Sequence, residues 1–300
     1  MRMQRKLLWA AIGGTAVAMA AWLFLPPGPR GIARSAPHAA VTPAPDAAFH
    51  PTLETAHYAI VSHADDAQTK QVADVVEALH RGFLELFPDV PSRRTDGHKL
   101  QLVLYRDRAH FRANNHSKPW AEAYYLPPTC YAYYAVGERN PYHWMQHEAT
   151  HQLHTELAGF SRAKWLNEGL ASYLGASRIE SGTLMPGTAD ANAYPIWWLS
   201  SLYLSGNFDE DVAQGRVIPL RALIEGTGPP IGQHVNLYYI EYWSLTHFLL
   251  HHDNGHHAKA YRTLLEGDGS LAEFEAEVGP VEQVQAQWYA YLRSQAEATR

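Results

Sequence analysis

The chain has 300 residues, 46% of them apolar and 18% charged, so it holds enough apolar side chain to bury a core and wholesale disorder is excluded. A formal net charge of −6 argues against a nucleic-acid binder. The single cysteine, Cys130, excludes an intrachain disulfide framework and a four-cysteine zinc site, so any metal must be held by histidine and carboxylate, and there are 18 histidines.

Charge is unevenly placed. Arg2, Arg5, Lys6, Arg30 and Arg34 lie in the first 40 residues with no acid among them, while the remainder carries 19 cations against 30 acids. The uncharged run Leu7–Leu25 follows Arg2, Arg5 and Lys6, and its length is close to the ~20 residues that cross a bilayer as a helix. Residues 1–28 therefore read as a membrane anchor or a signal peptide. Ala18-Met19-Ala20 offers a small-x-small cleavage site, but Trp22-Leu23-Phe24-Leu25 continues the apolar run beyond it, which favours the anchor. Residues 29–50, with Pro29, Pro37, Pro43 and Pro45, read as a Pro/Ala-rich linker, and 51–300 as the folded domain. The expected placement is a bacterial-type inner membrane with the domain facing the periplasm or exterior, or secretion if the signal is cleaved.

His57–Val61 predicts a strand, and Asp66–Phe87 a helix through Val72, Val75, Val76, Leu79, Phe83 and Leu86, ended by Pro88. Leu100–Tyr105 predicts a buried strand and Arg108–Asn114 a short helix. Tyr124-Tyr125 and Tyr131–Val136 predict strands around Pro127-Pro128, and Cys130 is placed in that turn. From Tyr142 onward the pattern is mostly helical. The fold class expected is α+β: a small N-terminal sheet with a helix, then a mainly helical half.

His147-Glu148-Ala149-Thr150-His151 is an H-E-x-x-H motif. On a helix, positions i and i+4 share a face, so two imidazoles can grip one Zn²⁺, and Glu148 projects beside the metal, where it can take a proton from water. Gly159 is a plausible helix stop. A second helix starting near Ser161 or Arg162 and running antiparallel brings Glu168 back to the histidines. Two histidines, a glutamate and water make an open catalytic zinc site. The longer pattern with a third histidine is absent, because His154 and Leu157 stand where glycine and histidine are required. His143, His154 and the cluster His247, His251, His252, His256 and His257 read as solvated or rim histidines. Asn167 reads as a group that orients the site or as plain helix surface.

His147-Glu148-x-x-His151-Gln152-Leu153 followed by Trp165-Leu166-Asn167-Glu168-Gly169-Leu170-Ala171-Ser172-Tyr173 resembles the gluzincin metallopeptidases, and more closely the bacterial peptidase-MA-like families, many of them uncharacterised. Tyr239-x-x-x-Trp243-x-Leu245-x-x-Phe248-Leu249 is similar to a later helix of those families, and weaker likeness covers most of residues 55–295. The resemblance implies a zincin-like catalytic domain with His147, His151 and Glu168 as zinc ligands and Glu148 as general base. It also implies a tyrosine that stabilises the oxyanion: Tyr239, with Tyr238 and Tyr242 as rivals that periodicity does not separate. An edge strand beside the zinc, here Tyr131–Val136, would pair with an extended peptide or protein substrate. The function expected is a membrane-anchored zinc metallopeptidase. The alternatives are a catalytically idle zincin-fold binding module and a cell-wall amide hydrolase.

Overall fold

Short β-rich runs give way to long helices along this chain, and the architecture follows that change. The computed structural model describes residues 49–90, 97–119 and 121–300, all within one structural unit, Ala48–Arg300. Five strands, β1 (Leu53–Glu54), β2 (Tyr58–Ser62), β3 (Leu100–Tyr105), β4 (Tyr124–Leu126) and β5 (Thr129–Tyr133), form one sheet in the order β1-β2-β3-β5-β4. The parallel pairs β2–β3 and β3–β5 are each joined by a crossover, the first through helix α1 (Asp66–Leu86) and the second through α2 (Arg108–Ala113) and β4. Strand β4 hairpins antiparallel onto β5 and forms the sheet's edge.

Helix α1 starts at a capping box: the Asp65 carboxylate accepts the Gln68 N–H at 2.8 Å and the Gln68 side chain accepts the Asp65 N–H at 3.3 Å. Its apolar stripe, Val72, Val76, Leu79 and Phe83, is fully buried.

The helical half comprises α3 (His143–Gln152), α4 (Lys164–Gly175), α5 (Ile196–Leu199), α6 (Phe208–Ala213), α7 (Leu220–Glu225), α8 (Val235–His251), α9 (Ala258–Glu266), α10 (Leu271–Glu277) and α11 (Val281–Ala298). A two-stranded hairpin, β6 (Ser177–Glu180) and β7 (Thr183–Ala189), interrupts it where a helical pattern was expected. It turns at Ser181 and Gly182, both left-handed (φ 50° and 77°). The α+β class expected from the sequence is therefore observed.

The membrane-spanning helix expected of this chain is not borne out. Among the described residues no helix is long and apolar enough to cross a membrane, and the run Leu7–Leu25 lies outside the described residues, as does the linker up to Ala48.

Nine of the ten residues of α3 are buried, polar ones included. Buried polar groups need partners, and the glutamines find them in backbone carbonyls. Gln146 Nε2 donates to Leu174 O (2.7 Å) and Ser177 O (2.9 Å), and Gln152 Nε2 donates to Pro128 O at 2.8 Å. The first pair ties α3 to α4 and β6, and the last ties it to the β4–β5 turn.

Glycine sets the spacing of α4. A Cβ on Gly175 would stand 3.0 Å from both Cα and Cβ of His147, and one on Gly169 would run into Thr246 Oγ1 of α8. Gly175→Ala is expected to cost about 1–3 kcal/mol, because the atoms it meets belong to a packed helix. Chemical denaturation checks this, and an unchanged midpoint would refute the close approach.

Buried Glu241 on α8 supplies a pH-dependent cost. Its Oε1 accepts the Ile218 N–H at 2.9 Å, while its Oε2 has no hydrogen-bond partner. Burial pushes this carboxyl well above the usual range, against the pull of that single hydrogen bond. The folded chain then keeps a proton that the unfolded chain has lost. Stability therefore falls as pH rises above the unfolded glutamate value of about 4.3 and stops falling only above the raised folded value. Glu241→Gln is expected to flatten that decline in melts taken from about pH 5 upward. Equal slopes in the two proteins would contradict it.

Candidate metal centre and cleft

Helix α3 places His147 and His151 one turn apart on one face, and α4 crosses it so that Glu168 meets them. The two Nε2 atoms are 3.2 Å apart, and each is 3.6 Å from Glu168 Oε2. Among the described residues this is the one group of three or more His, Cys, Asp or Glu side chains placed to hold a metal ion. Two donors bound tetrahedrally at about 2.1 Å lie about 3.4 Å apart, so these spacings suit one shared cation. Glu168 Oε2 is buried with no hydrogen-bond partner, a lone pair aimed at the two imidazoles. The residues present thus fit a divalent ion.

The electrostatics agree with a site built to be ionised. Burial alone would raise the Glu168 carboxyl, but the facing imidazoles of His147 and His151 hold it far below the usual carboxylate range. Burial would lower His151, yet the Glu168 carboxylate, then the charge of Glu148 and the Asn167 side chain, push it up to about 9. Asn167 Oδ1 lies 3.0 Å from His151 Nδ1, which leaves Nε2 directed at the cluster. Asn167→Ala is expected to weaken metal binding about 10–100-fold in competition with a chromophoric chelator, and Asn167→Asp to retain most of it. Unchanged affinity in the alanine variant would remove Asn167 from this role.

Glu148 lies beside the cluster and is buried. Burial, with the nearby charge of Glu168, pushes its carboxyl up, against the pull of His151, His147 and the Tyr125 N–H of β4. Tyr239 comes in from α8, its ring 6.0 Å from that of His147. Burial and the facing Glu168 carboxylate keep its hydroxyl protonated, and hence a donor. Its rivals point elsewhere: Tyr238 donates to Pro229 O at 2.7 Å, and Tyr242 is buried against Tyr238 and Tyr239.

Several expectations need correction. Tyr131–Val136 is not an edge: its strand is β5, paired on both sides by β3 and β4 and ending at Tyr133, and the free edge beside the cluster is β4. The hairpin makes this so, because β4 folds back over β5. His143 and His154 are not solvated. They are 2% and 1% exposed and bond backbone carbonyls, His143 Nδ1 to Asn140 O (2.7 Å) and His154 Nε2 to Ser161 O (2.6 Å). The later histidines are only partly solvated: His257 is buried, His247 contacts Tyr291 Oη (2.8 Å) and His251 contacts Tyr173 Oη (2.7 Å). Cys130 sits within β5 rather than in the turn, buried, with its thiol donating to Glu148 O at 3.2 Å. The second helix starts at Lys164, because a wide π turn, Leu153–Ala158, prolongs α3 and ends at left-handed Gly159 (φ 65°).

Two lobes of one cleft meet at His147, Glu148 and Tyr239. One, of ≈ 220 Å³, is walled by Trp144, Tyr194 and Val235; the other, of ≈ 270 Å³, is lined by Tyr125, Thr155, Asn167 and Glu168. Sequence reasoning missed Tyr194, Asn236 and Thr155. The only signal for Tyr194 was the aromatic run Tyr194-Pro195-Ile196-Trp197-Trp198, which reads equally as core.

Residues 143–266 match a family described as "Protein of unknown function (DUF1570)". No curated protein matches the chain. The matched segment begins at α3 and includes both lobes' aromatic and ligand residues from His143 to Tyr239.

Proposed function

We propose that the chain is a zinc-dependent hydrolase acting on peptide bonds. The observation that carries this reading is the convergence of His147, His151 and Glu168 with a buried carboxylate, Glu148, and a phenol, Tyr239, at the junction of a cleft beside a sheet edge. Two imidazoles and one carboxylate without thiolate are a donor set suited to zinc, with a fourth position left for water or substrate. When bound, zinc polarises the substrate carbonyl and makes water acidic.

The chain's own groups supply the rest. Glu148, raised by burial, takes the proton of the attacking water and passes it to the leaving amine. Tyr239 donates its hydroxyl proton in a hydrogen bond to the oxygen on which charge develops. Strand β4 offers backbone to an extended peptide, and the Tyr125 hydroxyl, donating to Glu156 Oε1 at 2.8 Å, braces that strand against the π turn. Asn167 holds the His151 ring in its working orientation.

The test is hydrolysis of a peptide mixture by zinc-loaded protein, with a chelator and then added zinc. Cleavage that stops and returns supports the proposal. Cleavage of peptidoglycan fragments alone would favour a cell-wall amide hydrolase, and cleavage of neither by correctly loaded protein would favour an idle binding module.

A further inference from the structure

We propose that the polar lobe of the cleft takes a carboxylate of the substrate, from an acidic side chain or from a free C-terminus, and that Lys118 is the cation that receives it. This rests on the hydrolase reading above and names the substrate class of that site.

The lobe holds uncommitted donors. Ser117, Lys118, Thr155 and Asn167 line it beside the metal cluster. Among the described residues, the Lys118 ammonium and the Ser117 and Thr155 hydroxyls have no hydrogen-bond or ion-pair partner. Asn167 commits its Oδ1 to His151 at 3.0 Å, which leaves its Nδ2 hydrogens to donate. The lobe's own carboxylates are engaged elsewhere: Glu168 faces both imidazoles at 3.6 Å, and Glu148 accepts the Tyr125 N–H. An incoming carboxylate is the complement of such a set, because it only accepts and has two oxygens to share among several donors. An apolar side chain would cover these groups without pairing them, and a lysine would meet the Lys118 charge. The aromatic lobe, by contrast, has no cation among its lining residues.

The loop that carries Lys118 is braced before any ligand arrives. Asn115 Oδ1 accepts the Ser117 N–H at 2.7 Å, its Nδ2 donates to Lys118 O at 2.9 Å, and the Ala121 N–H donates to the same carbonyl at 2.9 Å. One residue further on, Glu122 is tied down by Arg108 on both its oxygens, by Arg112 at 3.3 Å and by the Tyr133 hydroxyl at 3.0 Å. Binding then has one lysine side chain to order rather than a loop.

Charge at this rim runs against that of the chain. Residues 106–123 hold four cations, Arg106, Arg108, Arg112 and Lys118, against two acids, Asp107 and Glu122, in a chain of net charge −6. Arg106 pairs with Asp107 at 3.3 Å, and Arg108 and Arg112 both pair with Glu122. Lys118 is the one of the four with no carboxylate partner among the described residues. Deeper in the lobe, the divalent ion that suits His147, His151 and Glu168 offsets the charge of Glu168. An incoming carboxylate therefore meets a positive rim, and because Lys118 is exposed its attraction weakens with salt.

The experiment uses one peptide scaffold with Glu, Gln, Leu or Lys placed in turn at each central position, every peptide made with a free and with an amidated C-terminus. Cleavage by zinc-loaded protein is read by mass spectrometry, and uncleaved binding is measured on zinc-loaded Glu148→Gln. The expected result is a preference of at least about tenfold, in kcat/KM and in binding alike, for Glu over Gln at one position or for the free over the amidated end. Which of the two is seen names the source of the carboxylate, and the preference shrinks as salt is raised. Lys118→Met is expected to erase it. Lys118→Glu, which guards against a misfolded variant, is expected to reverse it in favour of Lys or the amidated end, and zinc content stays at the native level in both. Equal handling of Glu and Gln and of the two ends overturns the proposal. A preference that survives Lys118→Met also overturns it, because the carboxylate would then sit on the metal. Binding that prefers the carboxylate without any cleavage upholds the lobe and sinks the hydrolase reading. Cleavage indifferent to carboxylates keeps that reading and sinks the lobe, while neither binding nor cleavage sinks both.

Discussion

Glu148→Gln is expected to leave the metal bound and to lower turnover by about 10²–10⁴-fold. Glutamine is nearly isosteric with glutamate, so the contacts of this buried side chain survive while its capacity to accept a proton does not. Glu148 is not placed as a ligand: the atoms that converge belong to His147, His151 and Glu168. Metal content and turnover are therefore expected to separate, with stoichiometry unchanged and kcat reduced. The measurement pairs elemental analysis with single-peptide kinetics on the same preparation. A variant that kept full activity would remove Glu148 as the base. One that lost its metal would show that the side chain helps hold the ion.

Glu168→Ala has the opposite signature. It removes the carboxylate whose Oε2 stands 3.6 Å from both imidazoles and has no other partner. Losing a direct ligand costs more than losing a group that orients one, so metal affinity is expected to fall by more than about a hundredfold, beyond the effect of Asn167→Ala. His151 also loses the charge that lifts it to about 9. Chelator competition checks the affinity. Circular dichroism checks the fold, which should persist because α4 is buried through Trp165, Leu166 and Leu170 rather than through Glu168. Affinity within a few-fold of the native value would take Glu168 out of the cluster.

The sequence made the two ends of this argument legible and hid the middle. The metal cluster could be read because helical geometry turns i and i+4 spacing into proximity, and because Gly159 marks the turn that returns Glu168. Helix α1 was legible because its apolar periodicity reflects one-sided burial, and strands β2 and β3 because they are short β-rich runs. Periodicity failed where burial is not one-sided. Helix α3 is enclosed almost all round and the π turn that prolongs it buries His154 as well, so His143 and His154 look like surface residues although they are not.

Among the three tyrosines, the i, i+4 pair Tyr238 and Tyr242 shares a face that turns into the protein, and the odd member, Tyr239, faces the cluster. The edge strand was assigned to β5 because only pairing order, not local pattern, tells an edge from an interior strand. Tyr194 reaches the cleft from an irregular segment ahead of α5, far from the motif in sequence, and no local rule could have placed it there.

A metal held by three side chains is the central claim, and the zinc content of the purified native chain, measured after dialysis against a weak chelator, tests it. With the chelator holding free zinc at about ten times the native dissociation constant, close to one zinc per chain is predicted, and less than about a tenth of that in Glu168→Ala prepared identically, as follows from an affinity loss of more than about a hundredfold. Zinc absent from the native chain even after reconstitution, or retained equally by both proteins, would contradict a site built from His147, His151 and Glu168.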